Sequence, residues 1–143
     1  MNLRDLEKMT PKKFKQFAFY SGVEDEKERK ATTQVFTSPE NKYGEKLKIL
    51  LVSPAGAEGL DLKNIRLVMI MEPYWHEVRI RQVVGRAVRK NSHKDLPPEE
   101  RTVQVVRFLS VLTSEQKIEG KEKLSSDEYV DEIARQKEKL NQD

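Results

Sequence analysis

Three short apolar runs alternate with helical or loop segments, and this alternation constrains the fold more than any other feature of the sequence. The runs are Leu47–Val52, Ile65–Met71 and Val103–Leu112. They are short, apolar and partly β-branched, as is typical of strands that are covered on both faces of a sheet. Strands that alternate with helical segments favour right-handed crossovers and a mainly parallel sheet, so the sequence predicts an α/β fold.

Further elements are predicted on either side of these runs. Phe17–Tyr20 has the composition of a brief aromatic strand, and the charged stretch Val23–Phe36 carries apolar residues on one side, which indicates a helix. Ser125 and Glu128 have the spacing of a capping box, which predicts a last helix over Asp127–Leu140.

The length of 143 residues corresponds to one domain or less. We expect an N-terminal segment over residues 1–16, in which Thr10-Pro11 opens a turn or a helix. The main domain is predicted over residues 17–112, followed by a charged, flexible linker over 113–124 and a C-terminal helix over 125–143.

Composition excludes several kinds of site. The chain has no cysteine, so disulfides and thiolate metal sites are excluded. Its two histidines, His76 and His93, lack metal-ligand spacing, so we expect no metal site, and His93 is expected to be an ordinary loop residue. The net charge is only +3, so nucleic-acid binding must depend on local basic patches. With no apolar run of membrane length, we expect a soluble, intracellular type of protein.

One basic patch is predicted on a helix over Arg79–Arg89. Its apolar residues recur at helical spacing and form one stripe: Ile80, Val83, Val84, Ala87 and Val88. Its polar residues fall on the opposite face: Arg79, Gln82, Arg86 and Arg89. Guanidinium groups are planar and always charged, and they match phosphate oxygens two at a time, so this face suits phosphate binding.

An ordinary exposed basic face is the alternative interpretation of the same pattern. Two features favour phosphate. No acidic residue occurs between Glu77 and Asp95, so the arginines lack a local partner. Gly85 lies within the predicted helix, where glycine costs roughly 1 kcal/mol relative to alanine, which suggests that something approaches the backbone closely.

A loop of small residues, Ser53–Asp61, follows the first apolar run and contains Gly56 and Gly59. The glycines alone are weak evidence, because loops often use glycine for turns. In open parallel sheets, however, ligands bind beyond the carboxyl ends of the strands. The loop and the arginine helix are therefore predicted to flank one crevice.

These two segments resemble two motifs of superfamily 2 helicases. Gln82–Arg89 looks like motif VI, with a glutamine, then glycine-arginine, then a second arginine three residues later. Ser53–Asp61 resembles motif V, with Ser53 at the usual Ser/Thr position and Gly59-Leu60-Asp61 as its Gly-x-Asp. The motifs occur in the correct order, and each falls on the element predicted for it.

The residues around motif VI narrow the resemblance. Glu72–His76 before it, and Arg89–His93 followed by Leu96-Pro97 after it, look like helicases of the nucleocytoplasmic large DNA viruses. That group is similar to the poxvirus early transcription factor subunit and nucleoside triphosphatase I. Tyr74 and Trp75 are candidates for stacking on a base, although a tryptophan between a strand and a helix is more often a packing anchor.

The resemblance implies a RecA-like second helicase lobe, a parallel sheet with flanking helices. It is incomplete, since nothing before Phe17 corresponds to the opening strand and helix with motif IV. The implied catalytic residues are Arg89, which is the arginine finger, Arg86 and Gln82. The implied nucleotide-binding residues are Gly59 and Asp61, and the implied nucleic-acid-binding residues are Ser53 and Gly56.

Such motors also need a Gly-Lys-Ser/Thr phosphate loop (Walker A) and an acidic magnesium site (Walker B), and the sequence contains neither. The resemblance therefore implies that ATP and Mg²⁺ are held mainly by a first RecA-like lobe, in cis or in trans, and that the isolated chain is inactive. Other implied partners are single-stranded or duplex nucleic acid, with DNA favoured, and the viral RNA polymerase, in the virion or host cytoplasm.

A non-catalytic nucleic-acid or protein-binding module that keeps the fold is the alternative function. A pure binding module has no need of Gln82, Arg86 and Arg89 at this spacing. The sequence therefore favours part of an ATP-dependent motor, in viral transcription or genome processing.

Overall fold

Two strand–helix–strand units, each with parallel pairing, form the fold. The computed structural model describes residues 16–56, 59–119 and 124–140, so the predicted helix start at Thr10-Pro11 lies outside the described residues. Contacts divide the chain into two units, residues 1–66 with 86–102 and residues 67–85 with 103–143. The α/β class and the parallel pairing agree with the prediction from sequence.

The first unit contains β1 (Phe17–Tyr20), α1 (Glu26–Phe36) and β2 (Ile49–Val52). The strands pair in parallel, with Phe17 opposite Ile49. The helix begins later than predicted because the Asp25 side chain caps it, accepting a hydrogen bond of 2.7 Å from a backbone N–H of the first turn. Helix α1 then connects two parallel strands, as a crossover requires.

Asn41 organises the return from α1 to β2. Its buried side chain amide donates to Phe36 O at 3.0 Å and to Leu47 O at 2.9 Å. Its Oδ1 accepts from the N–H groups of Lys46 at 2.9 Å and Leu47 at 2.8 Å. The Leu47 side chain is completely buried, so Asn41 ties the backbone around a core residue.

The second unit contains β3 (Leu67–Ile70), most of α2 (Glu77–Ala87), β4 (Gln104–Arg107), α3 (Ser114–Glu119) and α4 (Ser126–Leu140). Strands β3 and β4 pair in parallel. The start of α2 is tied to the end of β4, because two nitrogens of the Arg107 guanidinium donate to the Glu77 carboxylate. This hydrogen bonding raises the pKa of Arg107 above its ordinary value.

The prediction that the apolar strands are covered on both faces is wrong. Every second residue of β3 is exposed, and Ile49 of β2 is 44% exposed. The described strands form two sheets of two strands each, so every strand has one partner. A sheet that is covered on one face alternates between half-buried and exposed side chains, as β3 does.

The segment predicted as a charged linker, 113–124, is helical over α3. Thr113 and Gln116 form a capping box: Thr113 N–H donates to Gln116 Oε1 at 2.9 Å, and Gln116 N–H donates to Thr113 Oγ1 at 3.3 Å. The Thr113–Gln116 spacing of a capping box is present in the sequence, but the high charge of the surrounding residues led to the prediction of a linker. The domain boundaries themselves stay predictions.

The predicted capping box before the last helix is confirmed. Ser125 N–H donates to the Glu128 carboxylate at 2.8 Å, and Glu128 N–H donates to Ser125 Oγ at 3.1 Å. The hydrogen bond from the Ser125 backbone lowers the pKa of Glu128 below its ordinary value. Within the described ranges, no helix is long and apolar enough to cross a membrane.

This cap predicts a pH dependence of stability. Because the folded-state pKa of Glu128 is lowered from 4.5, its contribution is present above that pH and is lost as the pH falls through the lower folded-state value. We expect Glu128→Gln to remove this part of the pH dependence. Unfolding free energies measured between about pH 6 and pH 3 test this, with Glu132→Gln on the same helix as the control. Equal slopes for wild type and Glu128→Gln would contradict the assignment.

Candidate functional site

The motif V loop begins where β2 ends. Ser53 N–H donates to Tyr20 O at 3.1 Å, which continues the pairing of the two strands by one residue. The half-buried Ser53 hydroxyl accepts a hydrogen bond from Gly56 N–H at 3.2 Å, which closes a turn. The loop therefore starts from a fixed position at the carboxyl end of a parallel strand.

Gly56 is required by packing within this chain. A Cβ added there would lie 2.3 Å from Tyr20 O and 2.9 Å from Tyr20 C, closer than real contacts allow. Close backbone approach to β1 therefore explains the glycine without a ligand. The nucleic-acid contact implied for Gly56 stays a prediction.

Gly85 differs from Gly56 in this respect. Apart from its chain neighbours and the backbone of its own helix, no described atom lies within 4 Å of a Cβ added at Gly85, and the residue is exposed on α2. The described residues therefore leave space at Gly85 for a ligand or a partner.

The two glycines predict opposite effects of alanine. We expect Gly56→Ala to destabilise the chain by roughly 1–3 kcal/mol, because the backbone of β1 or the loop must move. Gly85→Ala is the control, and we expect it to stabilise the chain by up to about 1 kcal/mol, because alanine is the better helix former. Denaturant unfolding of both variants measures the difference. Effects of the same sign and size would contradict this account.

Two motif VI arginines contact the end of motif V. Arg86 Nη1 donates to Leu60 O at 3.3 Å, and Arg89 Nη1 donates to Asp61 Oδ1 at 3.2 Å. Leu60 is buried, whereas Asp61 and Arg89 have side chains that are 63% and 55% exposed. Exposed ion pairs contribute only about 0–1 kcal/mol, so Arg89 can exchange Asp61 for another anion at little cost.

Gly59 lies beside these contacts. Its φ of +76° is in the left-handed region that favours glycine, and no described atom occupies the space where a side chain would project. The structure thus brings together four of the predicted site residues in the first unit: Arg86, Arg89, Gly59 and Asp61.

The arginine helix ends earlier than predicted. Helix α2 stops at Ala87, so Arg89 follows the helix rather than belonging to its polar face. Asn91 has a φ of +64° and Ser92 N–H donates to Arg89 O at 3.0 Å, which turns the chain out of the helix. Val88 is therefore 50% exposed, and its assignment to the buried stripe is wrong. Ile80 and Ala87 are buried as predicted.

Other arginines of this helix have partners of their own, one nearby in sequence and one distant. Arg79 donates to Tyr74 Oη at 2.9 Å and lies over the same ring, and Arg81 forms an ion pair with Glu138 of α4. The lack of acidic residues near the arginines was therefore misleading. Gln82 is exposed on α2, one helical turn before Arg86.

Trp75 is not a buried packing anchor. Its side chain is 48% exposed, with Lys137 Nζ lying 4.1 Å from the ring centre. Stacking on a base stays a prediction. Among the described residues, no group of three or more histidine or acidic side chains could hold a metal ion.

Sequence reasoning missed Ser92 and His93. Both are buried, and their side chains lie 2.8 Å apart at Oγ and Nδ1. His93 was expected to be a loop residue, and only its place in the Arg89–His93 stretch that resembles viral helicases singled it out. The available signal was Asn91, since asparagine tolerates the left-handed conformation that begins such a turn.

Comparison with known proteins agrees with the motifs. The family model described as "Helicase conserved C-terminal domain" matches residues 2–91, which include motifs V and VI. The chain is 42% identical over 121 residues to a putative ATP-dependent RNA helicase of Acanthamoeba polyphaga mimivirus, covering 85% of this chain and 15% of that protein.

Two further relatives come from other large DNA viruses. The termination factor NPH-I homolog of African swine fever virus is 45% identical over 135 residues, covering 90% of this chain and 19% of that protein. Nucleoside triphosphatase I of Melanoplus sanguinipes entomopoxvirus is 35% identical over 116 residues, covering 81% and 17%. The chain spans less than a quarter of the length of each relative.

These matches confirm the resemblance that the sequence motifs predict. The chain belongs to the helicase conserved C-terminal domain family, the RecA-like second lobe of superfamily 2 helicases, and it is similar to members from large DNA viruses.

Proposed function

We propose that this chain is the second motor lobe of an ATP-dependent nucleic-acid translocase or helicase. The observation that carries the proposal is the meeting of Arg86 and Arg89 with the Gly59–Asp61 end of motif V. Two guanidinium groups beside an open left-handed glycine turn form a surface that suits a phosphate chain. Family membership supports the same conclusion, because some relatives are named as ATP-dependent helicases or a nucleoside triphosphatase.

In this proposal Arg89 is the arginine finger. It exchanges the Asp61 carboxylate for the γ-phosphate of ATP, which is bound with Mg²⁺ on a first lobe. The guanidinium then stabilises the charge that develops during phosphoryl transfer. Arg86 holds the motif V backbone at Leu60 and approaches the same phosphate, and Gln82 helps to place the attacking water or the phosphate.

Motif V connects the nucleotide site to the nucleic acid along which the protein moves. The Asp61 carboxylate, once released by Arg89, accepts hydrogen bonds from ribose hydroxyls, and Gly59 lets the nucleotide approach the backbone. Ser53 and Gly56 lie at the start of the same loop and contact the nucleic-acid backbone. Backbone contacts carry no sequence information, so they suit movement along a strand.

The proposed process is viral transcription, and DNA is the favoured nucleic acid along which the motor moves. One relative is named a termination factor. A role in genome processing shares the same chemistry.

ATP turnover in the presence of single-stranded DNA or RNA tests the proposal. The chain alone, the preceding lobe alone, and the two lobes joined in one polypeptide are compared. We expect turnover only from the joined protein, because the sequence contains neither Walker element. Turnover by the isolated chain, or nucleic-acid binding without turnover by the joined protein, would contradict the proposal, and the second result would favour a non-catalytic binding module.

A further inference from the structure

A buried serine–histidine pair lies three and four residues after the proposed arginine finger. Ser92 is 6% exposed and His93 is 9% exposed, although both lie in a turn of the segment that connects α2 to β4. Buried polar side chains are costly unless they are hydrogen-bonded. Their contacts therefore indicate what the pair does for this part of the chain.

Ser92 holds the backbone of Arg89. Its N–H donates to Arg89 O at 3.0 Å, and its hydroxyl lies 2.7 Å from the same carbonyl. The hydroxyl also lies 3.3 Å from Ala87 O, the last residue of α2. The hydroxyl has one hydrogen and donates to one of its neighbouring acceptors at a time. The N–H bond to Arg89 O and one bond from the hydroxyl therefore take the place of the helical hydrogen bonds that Arg89 lacks beyond the end of the helix.

His93 connects this turn to the segment before β3. Its Nδ1 lies 2.8 Å from the Ser92 hydroxyl, and its Nε2 lies 2.5 Å from Ile65 O. A carbonyl oxygen only accepts, so Nε2 carries a proton and donates. Asn64 N–H donates to Ser92 O at 2.9 Å and supplies a second connection between the same two segments.

We infer that Ser92 and His93 are positioning residues for the arginine finger. They hold the Arg89 backbone against the Asn64–Ile65 segment. Only the Arg89 side chain then needs to move when its guanidinium exchanges Asp61 for a phosphate. Pre-organisation of this kind lowers the barrier to reaction, and a misplacement of about 1 Å can cost about 100-fold in rate. This inference rests on the proposed function, because it requires that Arg89 acts in turnover.

A double-mutant cycle in the joined two-lobe protein tests the inference. We expect His93→Ala to lower kcat about 10- to 100-fold, with the KM for ATP and the affinity for single-stranded DNA within about twofold. If His93 acts through Arg89, then adding His93→Ala to Arg89→Ala causes no further loss of kcat. If the two losses multiply instead, the inference is overturned.

The control is His76→Ala, the chain's other histidine, which we expect to leave kcat within about twofold of wild type. Should His93→Ala fail to fold, Ser92→Ala provides the same cycle with a smaller change. His93→Gln keeps an amide that can donate to Ile65 O, and we expect it to recover part of kcat. A Ser92→Ala variant that folds and turns over at the wild-type rate would also overturn the inference.

The cycle separates this inference from the proposed function. If Arg89→Ala itself leaves kcat unchanged, the proposed function fails and this inference fails with it. If Arg89→Ala lowers kcat as the proposed function requires while the His93→Ala loss persists undiminished in the double variant, the proposed function stands and only the positioning role is overturned.

Discussion

Arg89→Ala in the joined two-lobe protein is expected to lower ATP turnover by about a thousandfold or more, the usual contribution of an arginine finger. Affinity for ATP should change little, because the first lobe holds most of the nucleotide. Stability should also change little, since the pair that Arg89 forms with Asp61 is exposed on both sides. Single-turnover hydrolysis measured alongside ATP and nucleic-acid binding checks all three expectations.

Arg81→Ala is the matched control. Arg81 is an exposed arginine of the same sequence stretch, and its partner Glu138 lies on α4. Removing it takes away the same charge, and we expect kcat to stay within about threefold of wild type. Arg89→Lys keeps the charge but loses the planar donors, so it should recover little activity. Equal losses for Arg81→Ala and Arg89→Ala would mean that general charge, rather than a specific contact, drives turnover.

Asn41→Ala should cause the largest loss of stability among the substitutions considered. Its side chain satisfies two carbonyls and two N–H groups of the turn around the buried Leu47. Alanine leaves these groups, of which the Leu47 N–H and C=O are buried, without their side-chain partner, and we expect a loss of roughly 2–4 kcal/mol. The melting temperature should fall by about 10 °C, which thermal unfolding followed by circular dichroism measures.

Glu40→Ala in the same turn is the control. Glu40 is an exposed residue, and its carboxylate lies 4.0 Å from the Lys46 ammonium, so the loss should stay within about 0.5 kcal/mol. Asn41→Asp tests the donors separately, since it keeps the acceptor but places a carboxylate against two carbonyl oxygens. An Asn41→Ala variant as stable as Glu40→Ala would contradict the role assigned to this side chain.

Local signals in the sequence predicted much of the fold. The bounds of β1 agree with the prediction, and the Ser125–Glu128 capping box places the start of α4 within one residue. Caps and short aromatic strands depend on neighbouring residues, so they can be read from sequence. Coverage of β2 and β3 depends on residues distant in sequence, so the apolar character of these runs alone predicts more burial than the strands have.

For the candidate site too, some features follow from patterns in the sequence and others depend on residues distant in sequence. The place of the Ser53–Asp61 loop at the carboxyl end of a predicted parallel strand led to the expectation that the loop and the arginine helix flank one crevice, and Arg86 and Arg89 contact the end of this loop. The ion pair of Arg81 with Glu138 and the contact of His93 with Ile65 O depend on groups from segments distant in sequence. Residue periodicity within a single helix or strand does not predict contacts of this kind.

The structure of the joined protein with a non-hydrolysable ATP analogue and single-stranded nucleic acid tests the central claim most directly. The account predicts that Arg89 leaves Asp61 and lies within about 3 Å of a γ-phosphate oxygen on the first lobe. Arg89 still paired with Asp61, and a γ-phosphate contacted only by first-lobe residues, would contradict it.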